Sequence, residues 1–517
     1  MFYKNIISNY SIIFLGVFST LSIFLSINVG INLYDVAHPV KMFVEANQLL
    51  SGLTPYKEIF ISYGYLTTAL HSFSIILFGN QVLSTSIITG IFYALTFPIF
   101  FLILKNLGIE KKISILSIIV IFLIHPSIVL PWSTYFAYFF FLLGLYFLTK
   151  NNIKKKEFIL TGFFWSLACF SRQTYFIPLF LLIFTIISYE FFFENSNLKK
   201  NSARLEIMFL LIGFFLPILF FILVLIYNQT FKYWFYYTFD LSSFYLKPKS
   251  LESINSISFL FSHVKKSFID FFFAKNINSF FYLIIVIFNI YFILFIFKKN
   301  FNKRIFYISI LSLLMLSQNI HYIEVFRMST SVVVGFITLI YYFKESKLLK
   351  NFIFFIIIFS FFSFVNTTYN LFKARQDFVH SDLSYFRYQK MPENVALFYA
   401  DVFKAINNIK ANYVINKNFN YTYIPMLAFL SGTKSNQIGT YYDEAVENFY
   451  SNKSEFIDLE KSLTNFTDII IFTPSNDKEI MKKKFKKDFF LYKSFKSPIP
   501  AHKYIHFLIH KSTKKTI

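Results

Sequence analysis

Leu33–Gly79 reads LYDVAHPVKMFVEANQLLSGLTPYKEIFISYGYLTTALHSFSIILFG. An apolar run over Ser11–Leu33 precedes it, with Lys4 in front and no small-residue cleavage site behind, and reads as a retained membrane anchor. Asp35 stands where the chain leaves the hydrocarbon. Apolar residues then recur at helical spacing over Val40–Leu50, and Ser51–Gly52 ahead of Pro55 close that helix. Leu66–Phe78 is about thirteen residues long and carries Thr67, Thr68, His71, Ser72 and Ser74, too short and too polar for a crossing. Two helices lying along the membrane face are therefore expected between Asn32 and Asn80.

The rest of the chain sets the frame for that loop. Of 517 residues, 56% are hydrophobic, 22% aromatic and 15% charged, and the mean hydropathy is +0.54, which excludes an ordinary soluble domain. Further apolar runs fall near Ser84–Leu104, Ile113–Leu130, Thr134–Leu148, Phe158–Phe170, Tyr175–Phe193, Ile207–Tyr227, Phe280–Phe297, Ile305–Ile320, Ser329–Phe343 and Phe352–Val365. With the first run this makes about eleven crossings of a ~30 Å hydrocarbon layer.

Charge tests that count. Lys105, Lys111 and Lys112 share one loop; Lys154–Lys156 the next but one; then come Lys199, Lys200 and Arg204, Lys298, Lys299, Lys303 and Arg304, and Lys344, Lys347 and Lys350. Every one of these loops falls on the side of Lys4, the cytoplasmic side, provided Leu66–Phe78 does not cross. The net charge of +23 is thus a topology signal, and no nucleic-acid partner is expected. The single cysteine, Cys169, sits in an apolar run and reads as a small buried hydrophobe, which leaves no disulfide framework or thiolate metal site.

An odd number of crossings puts the polar segment after Val365 outside the cytoplasm. The expected division is a membrane domain over 1–365, with 32–80 as its first external loop, and a small α/β extracytoplasmic domain over 366–517. In the latter, Tyr413–Ile415, Asp468–Phe472 and Tyr504–Ile509 read as strands and Glu393–Ile409 as a helix. A second external loop, Asn228–Ser279, is long, aromatic and Lys-rich, of a kind that covers a lipid-facing groove.

Few residues carry chemistry. Asp35, at the aqueous boundary, can take the proton of an attacking hydroxyl, or it can cap the helix that follows. His38 lies near enough in sequence to orient it. Arg172, in SRQT, stands at an external break between two spans, where an unpaired cation would cost about 3 kcal/mol and needs a partner. Gln173 beside it is a hydrogen-bond donor. The turn NIHYIEVFR gathers His321, Glu324 and Arg327 at the same face, open to an anion-binding role or to a Glu324–Arg327 pair. Lys247 and Lys249 can attract anionic head groups or be solvated. Glu45 falls on the polar side of the first interfacial helix, and Tyr56 and Glu58 in the PYKEIF turn. No ligand-spaced His/Asp cluster, phosphate loop or dinucleotide fingerprint is present, so no obligatory metal or cofactor is expected.

In order and spacing, these segments resemble the GT-C glycosyltransferases, polytopic enzymes that use polyprenyl-phosphate sugars, in particular the bacterial group related to dolichyl-phosphate-mannose protein mannosyltransferases and aminoarabinose transferases. The matching features are Asp35 after the first helix, LLSG at Leu49–Gly52, PYKEIF at Pro55–Phe60, YGYL at Tyr63–Leu66, LFG at Leu77–Gly79, and LTGFFWSLACFSRQT at Leu160–Thr174. Many members carry an acidic pair about fourteen residues before the loop glycine; here those positions are His38 and Pro39, and Asp35 is three residues earlier.

The resemblance implies an inverting membrane glycosyltransferase of a bacterial inner membrane, N-terminus cytoplasmic. It would move a sugar from a polyprenyl-phosphate carrier to a glycan, lipid or protein acceptor in the cell envelope. Asp35 and His38 would serve catalysis. Arg172, Gln173, His321, Arg327, Lys247 and Lys249 would hold the donor phosphate, and Glu45, Tyr56 and Glu58 would line the acceptor side of the loop. Two other readings remain: a polysaccharide polymerase or ligase using diphosphate-linked glycans, and a non-catalytic polysaccharide transporter or scaffold, in which replacing Asp35 would be tolerated.

Overall fold

The structure, a computed structural model, describes residues 2–33, 37–57, 59, 61, 63–124, 129–150, 153–192, 197–235, 238, 277–296, 303–319, 325–407, 413–416, 469–475, 489–496 and 504–510. Its contacts divide it into two compact units. The first comprises Met1–Ser26, Thr89–Val224 and Ser253–Lys373; the second comprises Ile27–Ile88, Leu225–Glu252 and Ala374–Ile517.

Each apolar run of the sequence coincides with a helix. These are α1 (Phe2–Ile31), α4 (Leu83–Asn106), α5 (Lys111–Ile124), α6 (Ser133–Thr149), α7 (Lys155–Ser171), α8 (Phe176–Phe192) and α9 (Asn197–Tyr227). After a short α10 (Phe231–Phe235) come α11 (Ile277–Tyr291), α12 (Lys303–Met315), α13 (Val325–Phe343) and α14 (Lys347–Lys373). A π-helical turn, Phe292–Ile296, extends α11, and a 3-10 turn, Leu316–Asn319, extends α12. Among the described residues, α1, α4, α9 and α14 contain stretches long and apolar enough to cross a membrane by themselves, and the chain is a multi-pass membrane protein. Of the run expected over Ile113–Leu130, helix is described as far as Ile124, residues 125–128 lie outside the described residues, and Val129 and Leu130 are not helical.

Within the first unit, helices meet through small residues, as bilayer proteins do when apolar lipid offers no hydrophobic drive to association. Gly162 of α7 and Gly213 of α9 let two backbones touch. A Cβ at Gly213 would stand 2.1 Å from the Ile159 carbonyl oxygen, and one at Gly162 would stand 2.3 Å from that of Leu210. Gly335 of α13 faces Ser312 of α12 and Asn289 of α11, whose Nδ2 donates to the Gly335 carbonyl at 3.2 Å. Tyr282 Oη donates to the carbonyl of Ile124 at 2.7 Å, tying α11 to α5. Ion pairs Lys350–Glu110 (3.4 Å) and Lys150–Glu157 (3.7 Å) lie beyond the apolar segments.

The second unit contains α2 (Ala37–Leu50) and α3 (Tyr65–Phe78), which end where the sequence predicts and begin three residues and one residue earlier. Gly52, at φ 81°, ends α2: its N–H donates to Leu49 O (3.1 Å) and that of Leu53 to Gln48 O (3.3 Å), a Schellman arrangement that requires a left-handed residue. Gly64 and Gly79 flank α3. Ser72 Oγ donates to Ala46 O at 2.9 Å and holds the two helices together.

The same unit includes β1 (Phe378–His380), β2 (Lys390–Pro392), α15 (Glu393–Asn407), β3 (Tyr413–Asn416), β4 (Ile469–Ser475), β5 (Phe489–Lys496) and β6 (Tyr504–His510). The four-stranded sheet runs β3-β4-β6-β5, with β3 and β4 parallel and the other pairs antiparallel. Val40, Phe43, Val44 and Ile75 from the α2–α3 pair share one core with Phe386, Met391, Tyr399, Phe495, Ile505 and Phe507. Backbone bonds confirm the join: Leu33 N–H donates to Lys390 O (2.9 Å) and Val82 N–H to Tyr385 O (3.0 Å). The first loop is thus built as part of the unit that holds the C-terminal sheet.

Candidate functional site

Two clusters of polar side chains stand out, one in each unit. The first lies where α6 and α13 begin and α7 ends. Arg172 is the residue that ends α7, only 3% exposed, with an extended backbone (φ −150°, ψ 113°) that turns the chain out of the helix. Its Nε donates to Thr174 Oγ1 at 3.0 Å, and its Nη1 to Ser133 Oγ at 3.4 Å and to Thr134 Oγ1. These three acceptors are neutral hydroxyls, which solvate the guanidinium.

Arg327, in the first turn of α13, is 8% exposed, and its guanidinium lies 5.9 Å from the Trp132 ring, a cation–π distance. Thr330 and Ser331 fold their hydroxyls back onto the Arg327 carbonyl, at 2.9 Å each. Gln173 and Tyr175 occupy a 3-10 turn (Gln173–Tyr175) between α7 and α8, and Gln173 is half-buried. Three helix beginnings, those of α6, α13 and the turn into α8, thus gather around two buried arginines, and helix N-termini add positive potential of their own.

The second cluster lies between α2 and α3. Glu45 is 4% exposed, accepts a 3.5 Å hydrogen bond from Thr68 Oγ1, and shares α2 with Lys41 one turn earlier. Burial pulls the Lys41 ammonium down to about 8, against the opposing pull of Glu45. Its Nζ sits 5.4 Å from the ring of Tyr63. Tyr56 is buried at φ 64°, a left-handed conformation that a bulky residue rarely takes. Burial, then Tyr65 and Glu45, push its hydroxyl above the usual tyrosine range. Ile59 N–H donates to Thr54 O (3.3 Å), so the 54–59 turn closes over an inward Tyr56 and leaves Lys57 exposed. His71, fully buried in α3, is held neutral, its pKa depressed to about 3 by burial.

Of the residues singled out in the sequence, Arg172, Gln173 and Arg327 are brought together in the first cluster, and Glu45 and Tyr56 in the second. Asp35, Glu58, Lys247, Lys249, His321 and Glu324 lie outside the described residues, and of His38 only its place in the first turn of α2 is described. Sequence reasoning missed Trp132, Ser133 and Thr134 as partners of the arginines, and Lys41 as the partner of Glu45. The i to i+4 spacing of Lys41 and Glu45 was a usable signal; nothing local links Trp132 to Arg327. Among the described residues, no three His, Cys, Asp or Glu side chains come together as metal ligands would.

No protein-family model and no curated protein matches the sequence. Solved structures do. ArnT from Cupriavidus metallidurans in the apo state superposes with a TM-score of 0.56 at 8% identity, covering 97% of this chain and 98% of that one. The same protein bound to undecaprenyl phosphate gives 0.54 at 7% identity over the same shares. The chain shares its fold with ArnT, a GT-C glycosyltransferase. The archaeal oligosaccharyltransferase AglB from Archaeoglobus fulgidus, at a TM-score of 0.49 and 12% identity, is too distant to bear on function. At such identities no residue role passes from one chain to the other, so each must rest on this chain's own geometry.

Proposed function

We propose that this protein is a membrane glycosyltransferase that moves one sugar from a polyprenyl-phosphate carrier to an acceptor hydroxyl at the external face of a bacterial inner membrane. The observation that carries the reading is the pair of buried arginines, Arg172 and Arg327, converging on Trp132–Thr134. A lipid phosphate that gains charge as its bond to the sugar breaks needs donors already in place, and two buried guanidiniums, that of Arg172 set by hydroxyls and that of Arg327 set against the Trp132 ring, are such donors.

In the proposed reaction the Asp35 carboxylate accepts the acceptor's hydroxyl proton, assisted by His38. The acceptor oxygen bonds to the anomeric carbon from the side opposite the carrier. The bond from that carbon to the phosphate oxygen breaks, its electron pair stays on the phosphate, and configuration inverts. Gln173 and His321 add donors to the phosphate side, and Lys247 and Lys249 attract the anionic carrier. The Glu45, Tyr56 and Glu58 loop faces the acceptor, and residues 366–517 contribute to acceptor recognition. No obligatory metal or cofactor takes part. An ArnT structure bound to undecaprenyl phosphate supports this carrier class by likeness of fold.

The test is sugar release from a panel of labelled polyprenyl-phosphate and polyprenyl-diphosphate sugars by membranes holding wild type or Asp35→Asn. Turnover of a monophosphate donor, abolished in the variant while donor binding survives, is the expected result. Turnover of diphosphate donors alone moves the protein to the polymerase or ligase class. Normal turnover by Asp35→Asn removes Asp35 as base.

A further inference from the structure

We infer that Tyr175 is a positioning residue of the anion site, setting Arg172 against Arg327 across the gap between two helices. The inference rests on the reading of the arginine pair given above.

Tyr175 lies three residues beyond Arg172 and its N–H donates to the Arg172 carbonyl at 3.1 Å, so the two move as one turn. Its side chain has no exposed surface, and its ring packs 5.8 Å from that of Phe141. The hydroxyl faces the side chains of Gln318, in the turn after α12, and Thr330, in α13, yet completes a geometrically full hydrogen bond with neither. Thr330 donates in turn to the carbonyl of Arg327. A loop of contacts results: Arg172 to Tyr175, Tyr175 to Thr330, Thr330 to Arg327, Arg327 to Trp132, and Trp132 through its chain neighbours Ser133 and Thr134 back to Arg172. Every link but one is closed.

The open link is the informative one. A fully buried hydroxyl left short of a partner is costly, and its persistence in a well-packed bundle calls for a reason. In catalytic sites, hydrogen bonds that are long without ligand tighten when the ligand arrives. An anion drawn between the two arginines would pull their helices together, and Tyr175 is placed to close on Thr330 as that happens. The cost of the open link would then be recovered only in the bound state, which makes Tyr175 a contributor to donor affinity although it need not touch the donor.

The experiment uses the full chain in lipid nanodiscs with undecaprenyl phosphate as the probe. Binding is measured for wild type, Tyr175→Phe, Arg172→Lys and the double variant, together with KM and kcat for the donor that the panel identifies. Tyr175→Phe is expected to weaken probe binding about tenfold, the worth of one hydrogen bond that forms on ligation. KM should rise at least several times more than kcat falls. The cycle with Arg172→Lys should be non-additive, since the two residues act through one contact. If Tyr175→Phe does not fold, Thr330→Val removes the other half of the same link and takes its place in the cycle. Wild-type affinity in the variant, or additive losses, overturns the inference while leaving the arginine site standing. Failure of the wild type to bind the probe overturns both.

Discussion

Arg172 and Arg327, from different helices, close on consecutive residues: Arg172 hydrogen-bonds to Ser133 and Thr134, while Arg327 lies 5.9 Å from the ring of Trp132. Two like charges brought to one short segment repel each other, and both are almost fully buried. Such an arrangement is worth its cost where an anion is to be held. The guanidinium plane, with donors fixed in a fork, suits it to hydroxyls on one side and, in the proposed reaction, to phosphate oxygens on the other.

Arg172→Lys therefore tests geometry at constant charge. A lysine cannot reach Ser133, Thr134 and Thr174 together, so the variant is expected to fold but to lose roughly ten- to a hundredfold in donor affinity, as for a charged hydrogen bond. Arg172→Ala additionally strips three hydroxyls of their donor and is expected to lower the thermal midpoint in detergent as well. Titration with undecaprenyl phosphate and a melting curve on each variant separate the two effects. Equal affinity of Arg172→Lys and wild type would remove Arg172 from the proposed phosphate site.

The Gly162–Gly213 crossing predicts a stability effect far from any chemistry. Alanine at 213 would push its Cβ to 2.1 Å from the Ile159 carbonyl oxygen, and backbone cannot swing away as a side chain can. Gly213→Ala is expected to destabilise by about 1–3 kcal/mol or more through forced separation of α7 and α9. Gly16→Ala is the control, since nothing lies within 4 Å of a Cβ there; it should be neutral or slightly stabilising through helix propensity. Melting midpoints of both proteins in one detergent decide the matter.

Much of the helical frame was legible because hydropathy is a local signal that the bilayer enforces strongly. The ends of α2 and α3 were legible too, as Gly52 and Gly79 write them in the sequence. Strand β5 was not: FFLYKSFK places Lys493, Ser494 and Lys496 where a buried strand would carry apolar residues. Among the described residues it pairs along one side, with β6, and a bulge near Leu491 and Lys493 shifts its register. The arginine site was half legible. Arg172 announced itself as a cation in an apolar setting, but its partners stand 38 and 39 residues away in sequence. Hydroxyl acceptors from Ser and Thr carry no pattern that distinguishes them from helix glue. The shared core of the α2–α3 pair with β5 and β6 is equally non-local: only the fold brings Phe43 and Phe507 into one cluster.

Burial pulls the pKa of Lys41 in the folded protein down to about 8 from the ordinary lysine value of 10.5. Below pH 8 the ammonium is charged in folded and unfolded chains alike, and the desolvation cost is carried in full. Between about 8 and 10.5 the unfolded chain still binds the proton while the folded chain has lost it, so this group makes stability rise with pH, by at most about 1.4 kcal/mol per pH unit. His71 is neutral in both states throughout that range, because its folded pKa of about 3 and the ordinary value of 6.5 both lie below it. Tyr56 and Tyr65, raised by burial, act in the opposite sense, since the unfolded phenols lose their protons first, but only as pH approaches 10. The clean window is therefore pH 8 to about 9.5, set by the Lys41 shift at its lower edge and by the tyrosines at its upper. The unfolding midpoint of the wild type, measured against Lys41→Met across that window, is expected to climb relative to the variant. Parallel curves would mean that Lys41 keeps its proton in the folded protein as readily as in the unfolded one, and that Glu45 compensates its burial in full.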